Sequence, residues 1–404
     1  MRSRMTIVLA AVLALAGCRS AAPAAAPPSG AATSPSPPPS PSSSPSWSPP
    51  PSTSPSPSPS ASADCVSRTL AGMTLAERAG QVLMVGISVN APSGLGDTVR
   101  RYHLGGIFLH GRSTHSASVL RADIAALRKR SALPLLVSLD QEGGSVQTLK
   151  GADFPRLPSA QKLGAGPAAT LRDTTRDSAR RLAGIGVTVN LAPVADTVPA
   201  ALGEQNPPIG YWHRQFGSDP ARVAADIRTI VPASQDAGVL TVLKHFPGLG
   251  RVRANTDVSA NAVDATATVN DPYLAPFEAG IRAGSAGVMI SSARYPKLDA
   301  RTIAAFSTPI VTGLLRDRLG YRGLIMSDDI GAAVAVSGVP VGQRAVRFVA
   351  AGGDLVLTIR PADAAPMAGA LIDRATNDAT FRTRLTDAAR HVLRTKQRAG
   401  LLTC

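Results

Sequence analysis

Three apolar stretches of the chain each end in side chains suited to acid–base or electrostatic chemistry. The stretch VLTVL is followed by Lys244 and His245, LLVSL is followed by Asp140, and GLIM leads through a serine to Asp328 and Asp329. Charged groups at the end of a buried strand are costly unless they meet a partner or a ligand. In a parallel α/β barrel such strand ends share one rim, so the sequence predicts a sugar-sized polar pocket there.

Eight apolar, β-rich stretches alternate with helical patterns along most of the chain. Strands are predicted at 81–85, 105–109, 133–139, 187–195, 239–243, 287–291, 323–327 and 354–359. Helical periodicity is found at 116–129, 168–183, 220–237, 271–283, 310–319, 341–351, 361–373 and 377–399. This alternation predicts an α/β fold, a (β/α)8 TIM-type barrel. An open doubly wound sheet is the alternative, although no glycine-rich phosphate loop follows the first strand.

The N-terminus, residues 1–17, has the pattern of a lipoprotein signal peptide. Arg2 and Arg4 precede an apolar run over 7–15 that is too short to span a bilayer, and the sequence LAGC follows it. LAGC resembles the bacterial lipobox, which implies cleavage before Cys18 and attachment of lipid to its thiol. An ordinary secretory signal is the alternative. The expected location is the bacterial cell envelope, either lipid-anchored on the outer face of the cytoplasmic membrane or otherwise exported.

Residues 18–64 are predicted to form a disordered tether that follows the lipidated cysteine. They consist largely of Ser, Pro and Ala, so they cannot bury enough apolar surface to offset the entropy of ordering. Residues 65–404 have the composition of one globular domain. Its two cysteines, Cys65 and Cys404, lie at its two ends, and in an oxidising compartment we expect them to form a disulfide. Two free thiols are the alternative.

The chain is strongly basic, with a formal net charge of +15. Its cations are scattered through helical stretches without a glycine–aromatic motif of the kind that binds nucleic acid, so no nucleic-acid partner is expected. On an exported protein such charge favours anionic wall polymers or lipid headgroups. A plain solvated basic surface is the simplest interpretation.

The motifs of residues 65–404, taken in their order along the chain, resemble those of glycoside hydrolase family 3. KHFPG follows the fifth predicted strand, DQEGG the third and SDD the seventh, and LAPVAD, RQFGSDP and GGDLVL extend the likeness over most of the domain. The branch that the chain is most similar to is the single-domain bacterial β-N-acetylglucosaminidases. The resemblance implies a carbohydrate substrate. The sequence does not indicate a metal ion or an organic cofactor.

The resemblance also implies roles for individual residues. Asp328 occupies the position of the family's catalytic nucleophile. The residues implied to bind the sugar are Asp140, Arg214, Lys244 and His245. Asp329 is expected to be structural because it points away from Asp328 on a strand, and Glu142 is expected to be structural because it lies in a tight turn.

The chain departs from this branch in the loop that carries its general acid/base. The branch has an Asp-Ser-His segment there, whereas this chain has Asn255 and Asp257 in place of the Asp and the His. Asp257 is the candidate acid/base, with a pKa raised by its surroundings. The alternatives are that another carboxylate serves, or that the protein binds sugar without efficient turnover.

These observations lead to one primary hypothesis. The chain is expected to be an exo-acting retaining β-N-acetylhexosaminidase that removes terminal N-acetylglucosamine from peptidoglycan fragments through a covalent glycosyl-enzyme intermediate. A β-glucosidase or other β-glycosidase of the same family is the first alternative, and a non-catalytic sugar-binding lipoprotein is the second. The sequence does not indicate an oligomeric state.

Overall fold

Eight parallel strands close into a barrel in the computed structural model, which describes residues 64–403. Each strand pairs with its neighbour in sequence, and the first pairs with the last, for example through Met84 and Leu357. The closed ring confirms the predicted barrel. The strands are β1 (Leu83–Ser88), β2 (Gly106–His110), β3 (Leu136–Leu139), β4 (Val189–Asn190), β5 (Leu240–Phe246), β6 (Gly287–Ile290), β7 (Leu324–Asp329) and β8 (Leu355–Thr358).

Helices surround the barrel, and polar side chains cap several of their N-termini. Thr74 and Glu77 form a reciprocal capping box at the start of the second helix, and Asp219 and Asp378 cap two of the longer ones. The helices are α1 (Cys65–Ala71), α2 (Leu75–Gln81), α3 (Gly96–Tyr102), α4 (Ala117–Arg128), α5 (Ala160–Gly164), α6 (Ala168–Gly184), α7 (Pro220–Gln235), α8 (Ala275–Arg282), a π-helix (Pro309–Arg318), α9 (Val341–Ala350), α10 (Ala364–Asn377) and α11 (Ala379–Arg398). Within residues 64–403, no helix has the length and apolarity required to cross a membrane.

The strands are buried on both faces, which is why they read as apolar runs rather than as alternating patterns. Successive side chains point to opposite faces. Met84 and Met326 therefore pack inside the barrel, while Val85 and Ile325 pack against the helices outside it.

The end of α11 closes the N-terminal end of the barrel. Val392 belongs to the apolar cluster inside the barrel, and Ala399 and Leu401 pack against that cluster. Lys396 of the same helix is completely buried, and its Nζ donates a hydrogen bond to Oε1 of Gln81 at the end of α2. The C-terminal rim stays open, so the polar strand ends have access to solvent.

All eight strands differ from their predicted limits by at least one residue, and the differences in the fourth and the seventh are described next. The fourth was expected over 187–195, but β4 has only two residues, and the same run pairs with β5 again at the isolated bridge between Val194 and Lys244. Pro193, which has no amide hydrogen to give to a ladder, lies in the interruption between them. The seventh continues past its predicted end and includes both Asp328 and Asp329. The catalytic candidate therefore sits on the strand itself rather than in the loop that follows.

Several predictions concern parts of the chain outside the described residues. These are the signal peptide over 1–17, lipidation of Cys18 and nearly all of the tether over 18–64. Cys404 also lies outside, so the Cys65–Cys404 disulfide stays a prediction. It agrees with the packing of α1, which begins at Cys65, against α11, the last helix before the C-terminus.

Candidate active site

A cavity of about 390 Å³ opens at the C-terminal rim of the barrel. Its wall brings together residues that are far apart in the sequence. Every residue predicted to bind or react with a sugar contributes to this wall: Asp140, Arg214, Lys244, His245, Asp257 and Asp328. The cavity is therefore the place where the chemistry of these side chains can combine.

One side of the cavity is a cluster of four charged groups. Strand β5 brings Lys244 to the rim, where its buried Nζ lies 2.6 Å from Oδ1 of Asp140 and 2.6 Å from Oε1 of Glu142. Arg214 donates from Nε and Nη2 to the two carboxylate oxygens of Glu142, each at 2.8 Å. Glu142 thus holds both cations in place, while the carboxylate of Asp140 remains partly exposed to the cavity.

Glu142 and Lys244 are held in their ionised forms by neighbours of opposite charge. Burial alone would raise the pKa of Glu142, but the charges of Arg214 and Lys244 outweigh it and lower that pKa to about 2. Burial alone would lower the pKa of Lys244, but Asp140 and Glu142 outweigh it and raise that pKa. The cluster therefore offers a ligand fixed donors and a fixed acceptor, as hydroxyl-rich sugars require.

Sequence reasoning anticipated a structural Glu142 but not these contacts. The residue lies on the short strand Gln141–Gly143, which pairs with Val146–Gln147 and turns the chain back over the rim. Its side chain is almost completely buried. The one available signal was an acid two residues after Asp140, in the segment that leaves the third strand.

The carboxylate of Asp196 orients His245. Its Nδ1 lies 2.7 Å from Oδ2 of Asp196, and the same carboxylate accepts hydrogen bonds from the backbone N–H groups of His245 and Leu249. Since Nδ1 faces Asp196, Nε2 is left toward the cavity, 3.5 Å from Nη2 of Arg214. Asp196 was not among the predicted site residues, although it closes the LAPVAD motif.

Strand β7 brings two adjacent carboxylates to the opposite side. Asp328 is half-buried, and its Oδ1 accepts a hydrogen bond from the backbone N–H of Asp329 at 2.9 Å. Asp329 accepts hydrogen bonds from the backbone N–H groups of Gly331, Ala332 and Ile359, as expected of a structural residue. Burial raises the pKa of Asp329, and these hydrogen bonds oppose that rise.

The loop after β5 lies over the cavity and is fixed at both ends. Near its start, Arg251 donates to Asp264 at 2.8 Å and to both oxygens of Asp271, and its guanidinium stacks on Tyr273. Further along, the backbone N–H of Ala335 donates to the carbonyl oxygen of Thr256, and the backbone N–H of Val334 donates to the carbonyl oxygen of Asp257. The loop is thereby joined to the segment that follows β7.

Asp257 combines access to solvent with an elevated pKa. Its backbone N–H donates to Oδ1 of Asn255 at 3.0 Å, and its carboxyl group lines the cavity together with Asp328. Part of its side chain is exposed, yet the surrounding protein and then the negative charge of Asp328 raise its pKa to about 6. A carboxyl group with a raised pKa therefore shares one pocket with a second carboxylate, an arrangement that suits acid/base catalysis of glycosyl transfer.

Comparisons with known proteins agree with this geometry. The family model "Glycosyl hydrolase family 3 N terminal domain" matches residues 74–395. A β-hexosaminidase of Xanthomonas oryzae pv. oryzae is 35% identical over 273 residues, which cover 66% of this chain and 79% of the relative. A β-hexosaminidase of Xylella fastidiosa strain M23 is 38% identical over 266 residues, covering 63% of this chain and 76% of the relative.

Solved structures give the same result. The β-N-acetylhexosaminidase of Beutenbergia cavernae DSM 12333 is 41% identical and superposes with a TM-score of 0.78 over 81% of this chain and 99% of that one. The family 3 β-N-acetylglucosaminidase of Paenibacillus sp. str. FPU-7 is 29% identical, with a TM-score of 0.75 over 82% of this chain and 64% of that one. With its barrel, its rim site and these relatives, the chain belongs to glycoside hydrolase family 3 and is an enzyme that acts on O-glycosyl bonds.

Proposed function

We propose that the chain is an exo-acting retaining β-N-acetylhexosaminidase in which Asp328 is the nucleophile and Asp257 is the general acid/base. One observation carries this proposal. Asp257 and Asp328 line the same cavity, and they are close enough for the charge of Asp328 to raise the pKa of Asp257 to about 6. A group of that pKa can donate a proton in one step and accept one in the next.

The first step forms a covalent intermediate. A carboxylate oxygen of Asp328 attacks the anomeric carbon while the bond from that carbon to the glycosidic oxygen breaks. The carboxylic acid of Asp257 gives its proton to the departing oxygen, so the aglycone leaves as an alcohol.

The second step releases the sugar. The Asp257 carboxylate takes a proton from water, the water oxygen attacks the anomeric carbon, and the bond to Asp328 breaks. Two inversions at the same carbon give net retention of configuration. Retention is measurable, because proton NMR during early turnover shows which anomer forms first, and we expect the β-anomer.

The charged cluster supports recognition of a terminal sugar. Lys244 and Arg214 supply donors, Asp140 supplies an acceptor, and Nε2 of His245 adds a fourth polar contact. The cavity, at about 390 Å³, is small for a ligand pocket. These features support the binding of one sugar unit at a chain end.

The names of the relatives support an N-acetylhexosamine as that sugar. A basic chain with a predicted lipoprotein signal would meet N-acetylglucosamine mainly in peptidoglycan fragments, and we propose these as its natural substrate. The enzyme would act in the bacterial cell envelope, held by lipid at Cys18.

The first experiment compares 4-nitrophenyl β-N-acetylglucosaminide with 4-nitrophenyl β-glucoside. We expect a clear preference for the acetamido sugar, measured as kcat/KM. A preference for the glucoside would replace the proposal with a β-glucosidase. No release of nitrophenol from either compound, in a protein that still binds N-acetylglucosamine, would indicate a sugar-binding protein instead.

A further inference from the structure

A second cavity, of about 430 Å³, lies at the opposite end of the barrel from the catalytic pocket. It is formed by the segments that precede β6 and β7 and by the last turns of α11. Residues 284–286 lead into the first of these strands, and residues 320–323 lead into the second. The cavity therefore belongs to the N-terminal face of the barrel and shares no residue with the site of hydrolysis.

This cavity is lined by three arginines and, within the described residues, by no carboxylate. Arg322 comes from the loop before β7, and Arg394 and Arg398 come from α11. All three are exposed. Arg398 donates a hydrogen bond from Nη2 to the backbone carbonyl oxygen of Gly284, which fixes its position at the cavity wall.

The nearby acidic side chains do not neutralise these three charges. Asp354 is fully buried behind the cavity and is already bound by Arg316, Arg384 and His391. Asp64 is within electrostatic range of Arg394 but is not part of the cavity wall. Along residues 64–403, neither Arg322 nor Arg394 makes an ion pair.

The positive charges of these three arginines add up, so the cavity attracts anions. Arg394 and Arg398 lie one helical turn apart, where like charges repel each other. A guanidinium group binds two oxygens of a phosphate side by side. Three such groups from two separate segments suit a tetrahedral anion with several oxygens better than a planar carboxylate, which presents only two.

We propose that this arginine-lined cavity binds a phosphoryl group. The ligand is a phosphate mono- or diester, and its source is either a soluble compound or the headgroup of an anionic phospholipid. The site is independent of the glycosidase reaction, because it lies at the other end of the barrel.

The test compares two triple variants of the full chain that lower the net charge equally. Both carry Cys18→Ala, so that no lipid anchor contributes to membrane binding. The site variant is Arg322→Gln, Arg394→Gln and Arg398→Gln. The control variant is Arg180→Gln, Arg347→Gln and Arg382→Gln, three exposed arginines on other parts of the surface. Thermal unfolding and glycosidase activity check that both variants are folded.

Binding is measured with inorganic phosphate and glycerol 1-phosphate by titration calorimetry, and with phosphatidylglycerol or phosphatidylcholine vesicles by sedimentation. We expect the site variant to lose at least tenfold in affinity for the probes that bind, while the control variant stays close to the parent. Loss for soluble phosphates alone assigns a soluble ligand, and loss that includes phosphatidylglycerol vesicles assigns a lipid headgroup. Equal losses in both variants, or no binding of any probe by the parent chain, would overturn the proposal.

Discussion

At the scale of single residues, Asp257 and Asp328 have surroundings that suit opposite tasks. The backbone N–H of Asp329 donates to Oδ1 of Asp328, which fixes the carboxylate of the proposed nucleophile in position. Asp257 lies on a loop, and its pKa is raised to about 6 by burial and by Asp328. The replacement of a histidine by an aspartate in this family position therefore retains a group that titrates near neutral pH.

Replacing Asp328 with asparagine removes the proposed nucleophile and keeps the shape of the side chain. We expect kcat/KM to fall by roughly 10³-fold or more, while N-acetylglucosamine still binds in titration calorimetry. A 5-fluoro glycosyl fluoride that traps the intermediate should label the peptide containing Asp328. Labelling of Asp329 or Asp140 would contradict the assignment.

Replacing Asp257 with alanine should affect substrates according to their leaving group. Poor leaving groups need a proton and good ones do not, so we expect a loss of roughly 10²–10⁴-fold for natural glycosides and a much smaller loss for activated aryl glycosides. Added azide should restore part of the rate, because it attacks the intermediate without a general base. Equal losses for both kinds of substrate and no effect of azide would give Asp257 a structural role.

The same variant checks the pH dependence. Only the protonated form of Asp257 can act as the acid, so kcat/KM for poor leaving groups should decline as the pH rises through about 6. We expect Asp257→Ala to lack this decline. A profile unchanged by the substitution would mean that another group sets it.

The site residues that could be predicted follow from local sequence patterns, whereas those that were missed act through contacts with residues far away in the sequence. Asp140, Lys244 and Asp328 each close an apolar run, so their place at one rim follows from the strand pattern. The partners that hold this site were not predicted to do so. Glu142 contacts Arg214, which is 72 residues away in the sequence, and Asp196 contacts His245, which is 49 residues away. No local pattern encodes such pairs.

At the scale of elements, Arg251 anchors the loop after β5 that carries Asp257, the proposed acid/base. Arg251→Met removes its hydrogen bonds to Asp264 and Asp271, so we expect the loop to lose its fixed position. Because misplacement of a catalytic group costs up to roughly 10²-fold, kcat should fall by about tenfold or more for poor leaving groups.

The same loop offers a matched control for Arg251. Arg253 is exposed and makes one long contact, to Gln205. Arg253→Met should leave kcat nearly unchanged. Equal effects of the two substitutions would show that loop charge, rather than the anchor, matters.

Helix α11, which closes the barrel, buries Lys396, and we expect this burial to lower the free energy of unfolding by a measurable amount. Burial lowers the pKa of Lys396 from its ordinary value of 10.5 to about 7. The unfolded chain therefore binds more protons between these values, and the free energy of unfolding should rise as the pH rises from 7 to 10.5. Lys396→Met removes this term, and we expect it to raise the free energy of unfolding at pH 7 by roughly 1–4 kcal/mol.

Urea unfolding at several pH values checks this expectation. The advantage of Lys396→Met should shrink as the pH rises toward 10.5, because above that value the lysine is already neutral in the unfolded chain and loses no proton on folding. Lys129→Met, at an exposed position, should change little at any pH. A Lys396→Met variant that is less stable throughout would mean that the hydrogen bond to Gln81 outweighs the burial of the ammonium group.

At the scale of the whole molecule, the barrel was predictable because eight apolar runs alternate with helices, and only their limits needed correction. The β4 strand is shorter than its run, and β7 is longer. Apolar runs report burial, whereas strand ends depend on which backbone groups find partners in the neighbouring strand. The sequence pattern carries the first kind of information and not the second.

Attachment to a membrane is a prediction for the full chain. Cys18→Ala should prevent lipidation and move the protein out of the membrane fraction, as measured by labelling with a radioactive fatty acid and by fractionation. Lys396→Met, which leaves Cys18 in place, serves as the control and should stay in that fraction. Unchanged labelling of Cys18→Ala would contradict the lipobox interpretation.

The hydrogen bonds that join the loop at 256 and 257 to 334 and 335 also affect the protonation of Asp257. The raised proton affinity of Asp257 comes from the protein around it and from the charge of Asp328. A displacement of the loop away from the cavity would therefore return that affinity toward that of an ordinary aspartate, and near pH 6 it would release a fraction of a proton to the buffer. The position of the loop and the protonation of Asp257 are coupled in this way, so breaking the bonds to 334 and 335 should change both together.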